Sequence, residues 1–138
     1  MQPSGLPDSV HPEESLSRFL FQSSLFKERL GIVLPAAFLP NKKDHETSVS
    51  RHGHDPLNRL LELGRQASGG RPLRGVGVVK AEVVFNAKLE VNPAEPPPRH
   101  AVIVGWPWAE DDQVLEKAKQ KEIANILASN AELIVCPQ

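Results

Sequence analysis

The residues best suited to chemistry cluster in segment 51–55, which reads Arg-His-Gly-His-Asp. Two histidines that are two residues apart on an extended chain point the same way, so His52 and His54 are candidates for zinc ligands with His100 as the third. The spacing matches no strong zinc motif, and Asp55 is well placed to cap the helix that follows. We therefore predict an ordinary turn, with no metal and no cofactor.

A second group of polar residues offers anion recognition. Arg51 and Arg99 both flank apolar strands. The planar guanidinium group of an arginine can bind a phosphate group through two parallel hydrogen bonds. The competing interpretation is that these arginines are solvated at strand ends, because the sequence has no glycine-rich phosphate-binding loop directly before a predicted helix. His100 and the two histidines of segment 51–55 are the candidates for a general base, and we assign no catalytic residue. The full set of candidates for convergence on an anion is Arg18, Arg51, Arg71, Arg74, Arg99 and His100.

The third candidate is aromatic. An apolar strand runs into the sequence Gly-Trp-Pro-Trp, which holds both tryptophans of the protein, Trp106 and Trp108. Large rings at a strand end close a core or form a binding surface, and tryptophan dominates interface energetics. Pro107 and the approach of the next helix are expected to splay the two rings. We predict that one ring packs on the core and that the other is available to a partner.

Composition limits the classes of protein to which the chain can belong. With 138 residues it fits one domain, and 16 basic against 17 acidic residues give a net charge of −1. This balance disfavours nucleic acid and anionic membranes as general partners. A single cysteine, Cys136, excludes an internal disulfide. We find no secretory signal and no apolar run long enough to span a membrane, and we expect a cytoplasmic protein.

The helices and strands that must position these residues are predicted from hydrophobic periodicity and from residues that typically begin or end such elements. Residues 1–14 read as a disordered tail and residues 15–138 as one domain. One helix is predicted at about 55–64, with Asp55 and Pro56 at its start, and a second at about 110–129. For residues 16–40 the pattern leaves helix and strand open. The apolar face predicted for the second helix comprises Val114, Leu115, Ala118, Ile123, Ile126 and Leu127.

Segment 73–91 carries the clearest periodic signal. Every odd position in it is apolar or glycine, which is typical of a strand with one buried and one solvated face. Nineteen residues exceed the length of one strand, so we expect a bend, a bulge or a hairpin near Asn86-Ala87. The sequence therefore predicts an α+β fold, with a mainly antiparallel sheet of about 4–5 strands and two helices on one face.

Three segments together resemble a group of small uncharacterised bacterial proteins. They are Ser48–Arg51, the leucine-rich helix ending at Gly64, and Arg99–Pro107. The resemblance covers roughly residues 16–137 and implies a bacterial cytoplasmic protein, but it carries no known activity.

These patterns lead to three functional hypotheses. The first is a non-enzymatic interaction module that binds a protein partner or itself through Trp106 or Trp108. The second is an enzyme or binder acting on a phosphorylated or nucleotide ligand, which requires segment 51–54 to meet Arg99 and His100 in space. The third is nucleic-acid binding by basic residues on a strand face beside a stacking tryptophan. The absence of a clustered catalytic signature favours the first.

Overall fold

The computed structural model describes residues 4–52, 57–108 and 113–136. Its strands are β1 (Ser15–Leu20), β2 (Phe26–Lys27), β3 (Ile32–Val33), β4 (Thr47–Arg51), β5 (Gly75–Lys80), β6 (Glu90–Pro93), β7 (His100–Val104) and β8 (Glu132–Val135). Its helices are α1 (Leu57–Ala67), α2 (Ala81–Asn86) and α3 (Gln113–Ser129). Six strands form one sheet in the order β6-β7-β4-β1-β5-β8, and β2 pairs with β3 separately.

Every neighbouring pair in the large sheet is antiparallel, which confirms the predicted α+β class and the antiparallel pairing. The counts differ from the prediction, since the described chain has six strands in this sheet and three α-helices. Segment 16–40, which the sequence left undecided, contains β2, β3, nearly all of β1 and three single-turn 3-10 helices. None of the described helices is long and apolar enough to cross a membrane.

Strand β1 carries apolar side chains on both of its faces, so apolar clusters form on both sides of the sheet. On β1, Leu16 and Leu20 face one side and pack in the main core with Leu127 of α3. Phe19 points to the other side, where it packs in a smaller cluster with Leu61 of α1. The prediction that both helices lie on one face is therefore wrong, because the run Arg-Phe-Leu-Phe at 18–21 supplies bulky side chains to both faces.

Helix α1 approaches the sheet closely through a glycine. Gly64, predicted to end this helix, lies inside it instead, and the helix continues to Ala67. A Cβ atom at Gly64 would lie 2.8 Å from the ring of Phe19, so any other residue here would displace the ring or the helix. The predicted caps Asp55 and Pro56 lie outside the described residues.

The strand pattern predicted over 73–91, with a bend, a bulge or a hairpin near Asn86-Ala87, is wrong in its middle. Strand β5 ends at Lys80, α2 follows at once, and the chain turns directly after Asn86. Alternation misled here because Ala81 and Val84, three residues apart, also lie on one face of a helix, and both are buried. Strand β6 then joins the sheet at the opposite end from β8, and three strands separate it from β5.

The N-terminal segment contacts the domain at several points, which differs from the tail predicted over 1–14. Leu6 is buried, and the side chain of Glu95 accepts hydrogen bonds from Ser4. The carbonyls of Pro12 and Glu14 accept the first amides of α2, at Glu82 and Ala81, which have no partner within the helix. Residues 4–14 thus cap a helix that composition did not indicate.

Candidate functional site

The alternation of β4 separates the residues of the predicted anion site. Arg51 points into the main core beside Leu16, whereas Ser50 and His52 belong to the opposite face. Ser50 pairs with Ser17 on one side and with His100 on the other, so His52 and His100 share that face. Segment 51–52 does meet Arg99 and His100, as the enzyme hypothesis requires, but Arg51 is directed away from them.

Arg51 is held by the N-terminal segment. Its Nε and Nη2 donate to the carboxylate of Glu14 at 2.6 and 3.0 Å, and its Nη1 donates to the carbonyl of Pro7 at 2.7 Å. The carbonyl of Ser9 accepts a longer bond at 3.4 Å. The side chain is fully buried. This geometry gives Arg51 a structural role, because its guanidinium nitrogens are bonded to protein groups and solvent does not reach them.

His52 is part of an internal hydrogen-bonded group. Its Nε2 bonds to the hydroxyl of Ser17, which has no exposed surface, and its carbonyl accepts Nη1 of Arg99 at 2.6 Å. Burial is the main cause that lowers the pKa of His52; the positive charges of Lys80 and Arg99 add to it, and Glu14 opposes it. The neutral imidazole is therefore favoured. A serine with no exposed surface is not accessible to a substrate, so the pair reads as structural.

The remaining candidates are dispersed. Nδ1 of His100 bonds to the carbonyl of Ala94 at 3.0 Å, so this nitrogen is the donor. Arg18 donates to the carbonyls of Ala37 and Ser48, and Arg71 lies 4.4 Å from the centre of the Phe21 ring. These guanidinium groups contact different parts of the fold and do not converge on one anion. His54 lies outside the described residues.

The His52 environment predicts acid sensitivity. Above about pH 6.5 the residue is neutral in both the folded and the unfolded chain. Below that value the unfolded chain takes up a proton that the folded chain resists, so stability is lost as the pH falls towards the lower pKa of the folded state. We expect the urea midpoint to fall between pH 7 and pH 5.5, and expect His52→Gln to reduce this fall. His100→Gln is the control that should retain it; an equal fall in wild type and His52→Gln would contradict the assignment.

The two tryptophans occupy different environments, as the sequence predicts. Trp106 is 4% exposed and packs in the main core. Trp108 is 50% exposed, and its ring stacks on that of His45 with centroids 5.0 Å apart and planes at 9°. The turn therefore contributes one ring to the interior and one to the surface.

Trp108 and His45 line a cavity of about 650 Å³ between segment 39–45 and α3, which we call the Trp108 groove. Leu39 and Pro40 supply apolar lining, and the polar lining is Asn41, Lys42, Glu116, Lys117, Gln120 and Lys121. The volume lies within the usual range for ligand sites, about 300–1,000 Å³. An aromatic pair with mixed polar groups around it is suited to binding a side chain that has an apolar body.

The side chains that fix this groove were missed by sequence reasoning. His45 adopts a left-handed backbone (φ 58), and its Nδ1 lies 3.9 Å from the carboxylate of Glu116. Gln120 donates to the carbonyl of Pro107 at 2.9 Å, which ties α3 to the tryptophan turn. The predicted apolar face of α3 is wrong at four of its six positions, which are exposed: Val114, Leu115, Ala118 and Ile126. Polar Glu116 and Gln120 turn inward instead.

Two further candidates are limited by their surroundings. Burial raises the pKa of the Cys136 thiol, and the charge of Arg65 only opposes this, so the reactive thiolate is disfavoured. Within the described ranges, no group of three or more His, Cys, Asp or Glu side chains is arranged to hold a metal ion.

Comparison of the chain with protein-family models, with curated proteins and with solved structures found no match. The resemblance to small bacterial proteins stays a prediction.

Proposed function

We propose that this protein is a non-enzymatic interaction module that binds a segment of a partner protein in the Trp108 groove. The observation that carries the proposal is the half-exposed Trp108 ring, stacked on His45 at the mouth of a cavity of about 650 Å³. Tryptophan is enriched among the few residues that dominate binding energy.

The groove has features that a recognition site requires before its partner arrives. Gln120 holds the turn through the carbonyl of Pro107, and Glu116 lies beside the His45 imidazole that supports Trp108. A ring held by such contacts loses little conformational freedom on binding. The proposal keeps the expectation of a cytoplasmic, bacterial protein, which rests on composition and on the resemblance.

The phosphorylated-ligand and nucleic-acid hypotheses have weaker support. Arg51 is committed to Glu14 on the core side of the sheet, and Arg99 donates to the backbone of His52. The net charge of −1 offers no general attraction to polyanions. A second copy of this chain is the alternative occupant of the groove, and the experiment below detects it.

The test is a selection of random displayed peptides on the immobilised full chain, followed by affinity measurements on variants. We expect enriched peptides to lose about tenfold or more in affinity on Trp108→Ala. Leu30→Ala is the matched control, because Leu30 is also a large exposed apolar side chain but does not line the groove. This variant should bind like wild type.

Three results would overturn the proposal. One is a selection that enriches no peptide. Another is enrichment of peptides that bind wild type and Trp108→Ala equally. The third is a concentration-dependent dimer, seen by analytical ultracentrifugation, that Trp108→Ala abolishes, since the groove would then be filled by a second copy.

A further inference from the structure

The charges around the Trp108 groove are predominantly positive. Lys117 and Lys121 on α3 and Lys42 on the facing segment are all exposed and line it. The acidic residue in the lining, Glu116, lies 3.9 Å from Nδ1 of His45 and accepts a bond from Gln120. Three lysines therefore face the cavity with one engaged carboxylate, although the whole chain has a net charge of −1.

The lysines on α3 are spaced as carboxylates along an extended chain would be. Lys117 and Lys121 are four residues apart, which places them about 6 Å apart along the helix. In an extended peptide, side chains two residues apart point the same way and lie about 6.7 Å apart. Acidic residues at alternate positions can therefore face both lysines, while the residue between them turns towards the other wall.

Carboxylates fit this lining better than phosphate does. The described lining residues include no arginine, so the bidentate fork typical of phosphate sites is missing from them. The positive charges are point charges spread along the groove, and they do not close around one centre. Leu39, Pro40 and Trp108 offer an apolar surface between the charged rims.

We infer that the groove selects an acidic, extended peptide segment with Asp or Glu at alternate positions beside one large apolar side chain. The apolar side chain packs against the exposed part of Trp108, and the carboxylates face Lys117 and Lys121. This inference rests on the proposed function and adds to it the chemistry of the partner.

The test uses three synthetic peptides that alternate phenylalanine with glutamate, glutamine or lysine, titrated into the full chain by calorimetry. We expect the glutamate peptide to bind about tenfold tighter than the glutamine peptide, and expect its affinity to fall as salt rises from 50 to 500 mM, because salt screens exposed charges. Charge reversal in Lys117→Glu/Lys121→Glu should abolish this preference and favour the lysine peptide. Lys119→Glu, on the same helix but outside the lining, is the control that should leave the order unchanged.

The outcomes separate this inference from the function on which it rests. If the glutamine or lysine peptide binds as tightly as the glutamate peptide and still requires Trp108, the inference is overturned and the interaction module stands. If none of the three peptides shows binding that Trp108→Ala weakens, the inference is overturned; if the peptide selection also fails, the proposed function is overturned with it. Adenosine triphosphate is titrated in the same way, and tighter binding of it than of every peptide would overturn the inference in favour of a phosphate ligand.

Discussion

Replacing Trp106 with alanine is expected to lower the free energy of unfolding by about 3–5 kcal/mol, the usual cost of truncating a buried ring. The ring is 4% exposed and packs in the main core. Its Nε1 is buried without a hydrogen-bond partner among the described residues. Trp106→Phe keeps most of the packing and removes this unpaired donor, so we expect it to recover most of the loss.

Trp108→Ala should leave stability within about 1 kcal/mol of wild type, because half of the ring is already in water and the His45 stack contributes modestly. Urea unfolding of the three variants, followed by circular dichroism, provides the measurement. Equal and large destabilisation by Trp106→Ala and Trp108→Ala would make the whole turn part of the core, and the proposed binding surface would be lost.

Glu14→Ala is expected to destabilise the protein by about 3–5 kcal/mol, because it removes the counter-charge of a buried arginine. The Arg51 side chain is 1% exposed, and its Nε lies 2.6 Å from the Glu14 carboxylate. The carbonyls of Pro7 and Ser9 cannot neutralise the guanidinium. Urea unfolding measures the loss, and limited proteolysis should show earlier cleavage within residues 4–14.

Two controls isolate the buried pair. Glu62→Ala breaks the ion pair with Arg59, in which the Arg59 side chain is 49% exposed and the Glu62 side chain 57%. Because both charges are solvated, this variant should lose less than about 1 kcal/mol of stability. The double variant Arg51→Met/Glu14→Leu removes both charges and should be much closer to wild type than Glu14→Ala. A Glu14→Ala variant as stable as Glu62→Ala would contradict the anchoring role of Arg51.

Much of the architecture follows from local patterns in the sequence. The predicted strands at Ala101–Val104 and at Thr47–Arg51 pair with each other, and the predicted long C-terminal helix is present as α3. Segment 73–91 misleads because alternation and helical spacing both place Ala81 inside. Local pattern also does not specify which face of a strand a helix covers. The sequence therefore did not predict that α1 and α3 lie on opposite faces of the sheet.

The sequence predicts one part of the candidate site, the exposed tryptophan, but not the residues that surround it. The exposed tryptophan follows from residue type and turn chemistry, but His45 is separated from it by more than sixty residues. The stack depends on the left-handed backbone at His45 and on the register of α3, neither of which has a distinctive local signal. Arg51 was misassigned because its partner Glu14 belongs to a segment whose composition indicates a tail.

The most direct test of the binding surface is a nuclear magnetic resonance titration of the two indole N–H groups, since the protein contains only Trp106 and Trp108. Trp108→Phe assigns the two signals. On addition of a selected peptide, we expect the Trp108 signal to shift or broaden in proportion to the bound fraction, while the Trp106 signal stays in place. A shift confined to Trp106, or no change in either signal at saturating peptide, would contradict binding in the Trp108 groove.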